Sequence, residues 1–245
     1  MTIRGRGTGA GGTLIDCAHR VRHFAVLGSN VTLEGMRLVN GSAHDGACGG
    51  APCALAADGG CVLIAGAGAK LVDCDLSGCT AEGRGGAVFV TRGDAAEPVP
   101  GGEAAATLRA VVASGGRATY GGAVWADMAV VLGAGPTFRL CTAFHGGGVF
   151  VQGPRGSLTA SRATVEGCRA ANAGGGVHAA LNASIRLEGV AVQDNVAGAY
   201  GGGVYIVEGG TLVVSGDSAV QDNTVRNPPF SCAVTAARAR CGVVR

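Results

Sequence analysis

The sequence predicts an all-β protein, a parallel β-helix of about seven or eight coils with about 27 residues and three short strands in each. Three observations lead there. Gly-Gly-x-Val recurs from Gly59, Gly85, Gly121, Gly146, Gly174 and Gly201, at intervals of 26, 36, 25, 28 and 27 residues. A second motif, apolar-x-x-Cys/Asn, keeps the same spacing in Leu76 to Cys79, Phe138 to Cys141, Val165 to Cys168, Val192 to Asn195 and Val220 to Asn223, and reads Val112 to Gly115 in the remaining unit. Within a unit, β-prone runs such as Val204-Tyr205-Ile206-Val207 and Thr211-Leu212-Val213-Val214 are separated by glycine-rich breaks, and no segment carries an apolar period of 3.6 that would mark a helix.

Each part of the chain has a place in this scheme. Residues 1–225 form one β-helix domain and residues 226–245 an irregular C-terminal tail, since Asn227-Pro228-Pro229 breaks the pattern. Insertion loops are expected at 41–58 and 91–104, the second of them accounting for the one long interval of 36. An array that ends without a recognisable cap leaves strand edges free, so self-association through its ends is expected.

Composition narrows the class further. The 46 glycines have no third-residue period, which excludes collagen, and 47% hydrophobic against 15% charged residues excludes a disordered chain. A net charge of +2 gives no reason to expect a nucleic-acid partner, and Lys70, the single lysine, precedes Leu71, so there is no phosphate loop. The sequence has no run of about 18 uncharged apolar residues and no apolar stretch behind Met1-Thr2-Ile3-Arg4. A surface protein with this sequence would therefore be a fragment or have an incomplete N-terminus.

The Gly-Gly-Ala-Val of Gly85 to Val88 and the Phe-x-x-Cys of Phe138 to Cys141 resemble the GGA(I/L/V) and FxxN repeats of chlamydial polymorphic outer-membrane proteins. The resemblance covers roughly residues 1–225 and departs from the family pattern where valine or leucine replaces phenylalanine and cysteine replaces asparagine. It implies a right-handed, pectin-lyase-like β-helix at the cell surface or outside the cell. The work it implies is adhesin-like display and binding of a polysaccharide or a surface protein. A polysaccharide lyase, hydrolase or epimerase on the same scaffold is the alternative, and a structural spacer a third. No cofactor is expected in any of the three.

Stacked coils turn sequence positions into columns. Val62, Val88, Val124, Val149, Val177 and Val204 share one column, and Ile64, Val90, Ala126, Val151, Ala179 and Ile206 another; both face the core. Alternation along a strand sends the residue between them outward. That column reads Leu63, Phe89, Trp125, Phe150, His178, Tyr205, an aromatic stripe expected to be exposed, serving as a ligand platform or as sheet-face packing, with Tyr120, His145 and Tyr200 widening it. The column of Cys79, Cys141, Cys168, Asn195 and Asn223 resembles the asparagine ladder of β-helix corners. In it the cysteines are expected as small buried apolar residues, with a Cys141–Cys168 disulfide or metal binding as alternatives.

Disulfides are expected between Cys48 and Cys53 and between Cys232 and Cys241, while Cys79 and Cys168 are expected free. Asp73 and Asp75, two residues apart in a strand, are the best candidate catalytic pair, about 6.6 Å apart by strand geometry, against the plainer reading of a solvated face. His19 and His23 have a spacing that is metal-like only on a helix, so a solvated loop and no metal site is expected. Arg92-Gly93-Asp94 matches an adhesion tripeptide inside the second insertion.

Overall fold

A computed structural model describes residues 1–28, 30–44, 55–66, 68–92, 105–133 and 135–227, together with two short strands at Ala233–Thr235 and Arg238–Arg240. It is a parallel β-solenoid of about seven turns without helix among the described residues. One turn serves for all. The strand Val149–Gln152 is followed by Ser157–Ser161, Thr164–Glu166 and Arg169–Ala173, and the next turn begins on the same side with Val177–Ala180.

Stacking these positions builds the sheets. The first position makes a seven-stranded sheet from Phe24–Val26 to Val204–Ile206, in which Val62, Val88, Val124, Val149, Val177 and Val204 pair in register. The second and third positions merge into one large sheet, because Thr32–Val39 and Ala69–Ser77 run through both without a break. The fourth makes a smaller sheet from Thr142–His145 to Thr224–Val225. From Val124 onward each turn has four strands, whereas the turns that begin at Phe24, Val62 and Val88 have the three that the sequence suggested.

Two further expectations need correction. Ser42–Ala43 pairs with Thr80–Ala81, so the start of the first insertion belongs to the coil. The tail is not wholly irregular, since Ala233–Thr235 and Arg238–Arg240 pair antiparallel beside the strand Ala219–Gln221.

Apolar side chains fill the solenoid because alternation points one residue in two inward. The two predicted core columns are fully buried through most of their length, together with Leu33, Leu71, Leu108, Leu38, Leu76 and Phe138 from the large sheet. The corners are set by backbone chemistry. The first glycine of every pair is left-handed, with φ from 54° to 68°, where an L side chain is strained. The second glycine lies flat on the next turn: Gly86 donates its N–H to the Gly121 carbonyl at 2.9 Å, and Gly147 donates to Gly174 at 2.9 Å.

A methyl group at a second glycine would have no room. A Cβ on Gly122 would lie 2.7 and 2.8 Å from the backbone nitrogen and oxygen of Thr142 and would also strike the Gly147 carbonyl. Gly122→Ala should therefore cost at least about 2 kcal/mol, as overpacking against atoms that cannot move aside. Gly9→Ala, with open space around its Cβ, should cost a few tenths at most. Urea midpoints of the two variants are the check, and equal midpoints would contradict the packing account.

Candidate functional site

The outward residues of the seven-stranded sheet stand in register as expected, Leu63 beside Phe89, Trp125, Phe150, His178 and Tyr205. They are not exposed. Phe89 is 0%, Trp125 1%, Phe150 4% and His178 4% accessible, and only Tyr205 remains half-buried. Four residues that precede glycine pairs, Arg84, Tyr120, His145 and Tyr200, fold back over the stripe. The Arg84 guanidinium carbon sits 4.7 Å from both the Phe89 and the Trp125 ring centres, and those two rings stack at 4.6 Å. Asp58, with its side chain buried, fixes Arg84 by a two-point ion pair and by accepting the Arg84 backbone N–H at 2.8 Å. Tyr120 lies edge-on to Phe150 at 5.3 Å, and Tyr200 stacks on Tyr205 at 5.4 Å. The stripe is thus a second apolar cluster outside the coil, which removes it as an open ligand platform.

His178 is the odd member. It lies among Phe150 at 4.7 Å, Tyr205 at 5.0 Å and His145 at 5.2 Å, and neither ring nitrogen has a hydrogen-bond partner. Burial, reinforced by His145, pushes its pKa down to about 4.

On the opposite wall of the coil the ladder works as side-chain chemistry requires. Asn195 accepts the Cys168 N–H at 2.9 Å and donates to the Val165 carbonyl at 2.9 Å; Asn223 repeats this with Asn195 at 3.0 Å and Val192 at 2.8 Å. Cys168 and Cys141 aim their thiols at Phe138 and Ala113, the preceding carbonyls of that column. Both are free and buried, and contact with Cys141 together with burial pushes the Cys168 thiol far up. Register gives the remaining unit's ladder position to Gly116, one residue beyond the sequence reading, because Ala113 pairs with Phe138.

Cys79 is a correction. It is bonded to Cys61 across the coil, with Cα atoms 5.4 Å apart. The ladder residue faces the spacer that follows the glycine pair: a Cβ on Gly176 would lie 3.0 Å from Asn195 Nδ2, and one on Gly203 2.7 Å from Asn223 Nδ2. Spacers are glycine or alanine elsewhere, and in this turn alone spacer and ladder residue are both cysteine. Aligning the two columns would have found the bond. Cys48, Cys53, Cys232 and Cys241 lie outside the described residues.

Asp73 and Asp75 do not form a reactive pair. Asp73 is exposed at a left-handed corner (φ 49°), and Asp75 lies 3.6 Å from Arg37. Among the described residues no three His, Cys, Asp or Glu side chains gather as a metal site. His23 is half-buried and contacts the Ile15 carbonyl at 3.0 Å, so the solvated-loop expectation fails for it.

A group that the sequence did not single out is better placed. Asp127 ends the strand Val124–Ala126 and floors a cleft of about 390 Å³ lined by Thr91, Arg92, Gln152 and Arg155. Thr91 donates to its Oδ2 at 3.1 Å, whereas its Oδ1 is buried without a partner. Burial raises the Asp127 pKa against the opposing effects of Thr91, Arg84 and Arg155. No family model, curated protein or solved structure matches the chain.

Three outcomes follow from this geometry. Trp125 emission should be blue-shifted and resistant to acrylamide, moving to the red in Arg84→Ala; red emission from the unaltered protein would show that the stripe is open. Thiol mapping without reductant should leave Cys61 and Cys79 unlabelled even in denaturant, with Cys141 and Cys168 labelled only on unfolding, and reduction should cost about 3 kcal/mol.

The third concerns pH. An unfolded histidine titrates near 6.5, so as pH falls from there to about 4 the unfolded chain takes up a proton that folded His178 refuses. Stability is complete above that window and declines within it by about 3 kcal/mol from this residue. His178→Phe should flatten the decline in thermal melts between pH 6.5 and 4; an unchanged slope would refute it.

Proposed function

We propose that this solenoid is a non-catalytic binding and display rod of the cell-surface or extracellular kind. It takes a polysaccharide at the Asp127 cleft. The carrying observation is the cleft floor: a buried carboxylate oxygen without a partner, with the arginine, threonine and glutamine side chains around it, suits the closely spaced donors and acceptors of a sugar. The Cys61–Cys79 bond supports an oxidising compartment, where such bonds persist. A right-handed, pectin-lyase-like relationship to the chlamydial repeat proteins remains part of this proposal and rests on the repeat motifs.

The enzymatic alternative has one observation in its favour, the raised pKa of Asp127, which suits a proton donor. Glycoside hydrolysis ordinarily takes two carboxylates, and among the described residues the cleft lining supplies one. Calorimetry against a panel of soluble polysaccharides, with a parallel turnover assay, separates the readings. Binding without turnover, weakened about 10-fold or more in Asp127→Asn and Arg155→Ala, is the expected result. Turnover lost in Asp127→Asn but kept in Asp73→Asn and Asp75→Asn would make the chain an enzyme. Failure to bind any glycan would leave the spacer reading.

A further inference from the structure

The smallest of the main sheets carries a row of arginines. Thr142, Arg169, Val196 and Thr224 stand in register on its outer side, and Arg117 bridges to Thr142 at the preceding turn. Arg226, two residues beyond Thr224, points to the same side by alternation. The backbone positions of Arg117, Arg169 and Arg226 therefore recur every second turn, about 10 Å apart along the axis at the usual strand spacing, with Arg226 set two residues to the side of the column. Neutral Thr142 and Val196 separate them. All three are exposed, and none has an ion pair to an acidic side chain among the described residues.

Between Arg169 and Arg226 the surface dips into a cleft of about 440 Å³, with Thr142 and Asn227 on its walls and Ala171 and Gly198 among the residues beneath. The depression is built into the backbone. A Cβ on Gly198 would strike the Ala171 carbonyl, and the N–H groups of Arg226 and Asn227 are held by Ala197 and Gly198, each at 2.9 Å. Phe144, next in the strand after the lining residues Thr142 and Ala143, is 49% exposed and offers a stacking surface for a sugar face. Glu82 stands at the N-terminal end of the face, two turns from Phe144.

We propose that this face binds a linear acidic polysaccharide lying along the solenoid axis, with its carboxylates or sulfates on Arg117, Arg169 and Arg226 and a neutral sugar between successive charges. Charge spacing selects the class of polymer. A nucleic-acid strand carries a phosphate about every 3.4 Å along the duplex axis, roughly three times denser than the arginine row. The face is separate from the Asp127 cleft, so either site can fail alone.

The test uses hyaluronan decasaccharide, in which a carboxylate-bearing sugar alternates with a neutral one. Its carboxyl-reduced counterpart and a twelve-residue oligothymidylate serve as comparisons, all read by calorimetry at several salt concentrations. Hyaluronan should bind, and its reduced form should bind at least 10-fold more weakly. Arg169→Ala should lose at least 10-fold, with unchanged melting temperature, and lower the log–log salt slope by about one. Arg186→Ala, which removes an exposed arginine from the large sheet, should leave this binding intact. Equal binding of the reduced polymer, tighter binding of the oligothymidylate, no binding of hyaluronan, or indifference to Arg169→Ala would each overturn the proposal.

Discussion

The fold depends on a backbone contact in which side chains have no part. From the pair at Gly59 to the pair at Gly174, two glycines in each turn present bare backbone to the next turn, the first left-handed and the second laid against the glycine pair ahead of it. A Cβ on Gly60, Gly86, Gly122, Gly147 or Gly175 would strike the carbonyl of the second glycine one turn on, so the pairs form a continuous spine along the rod. Once that spine sets the distance between turns, the strands on either side have little freedom in register. The valine column, the aromatic column and the ladder all inherit their alignment from it.

The same spine places the two side chains that face each other across the coil. Close approach of ladder residue and spacer requires a small spacer, and Gly148, Gly176 and Gly203 meet Cys168, Asn195 and Asn223 in this way. Asparagine there completes hydrogen bonds to the neighbouring turn, and cysteine points a weaker donor at the same column of carbonyls. Cys61 uses the constraint differently, by bonding to the residue it would otherwise crowd.

Much of this was legible because a solenoid writes its geometry as a period. The spacing of Gly-Gly-x-Val gave the turn, and alternation after the glycines gave Val88 and Val90 as inward and Phe89 as outward. Alternation names the side of a sheet and is silent about what lies over it. The cover over Phe89 and Trp125 comes from Arg84, which precedes the glycines, and from Asp58 one turn earlier. Cysteines were paired by nearness in sequence, whereas Cys61 and Cys79 meet through the width of the coil. Asp127 escaped notice because nothing in a lone aspartate after a strand signals burial; its environment is assembled from Thr91 and Arg155 in the turns on either side.

The Cys61–Cys79 bond joins two points of one turn and links no turn to another. Pulled by its ends, the rod would lengthen as turns peel away, and the bond would offer no resistance to peeling on either side of it. It would appear instead as missing extension. With its ends 18 positions apart in sequence, it withholds about 60 Å of contour length at full stretch, marking one turn of the rod as a closed hoop.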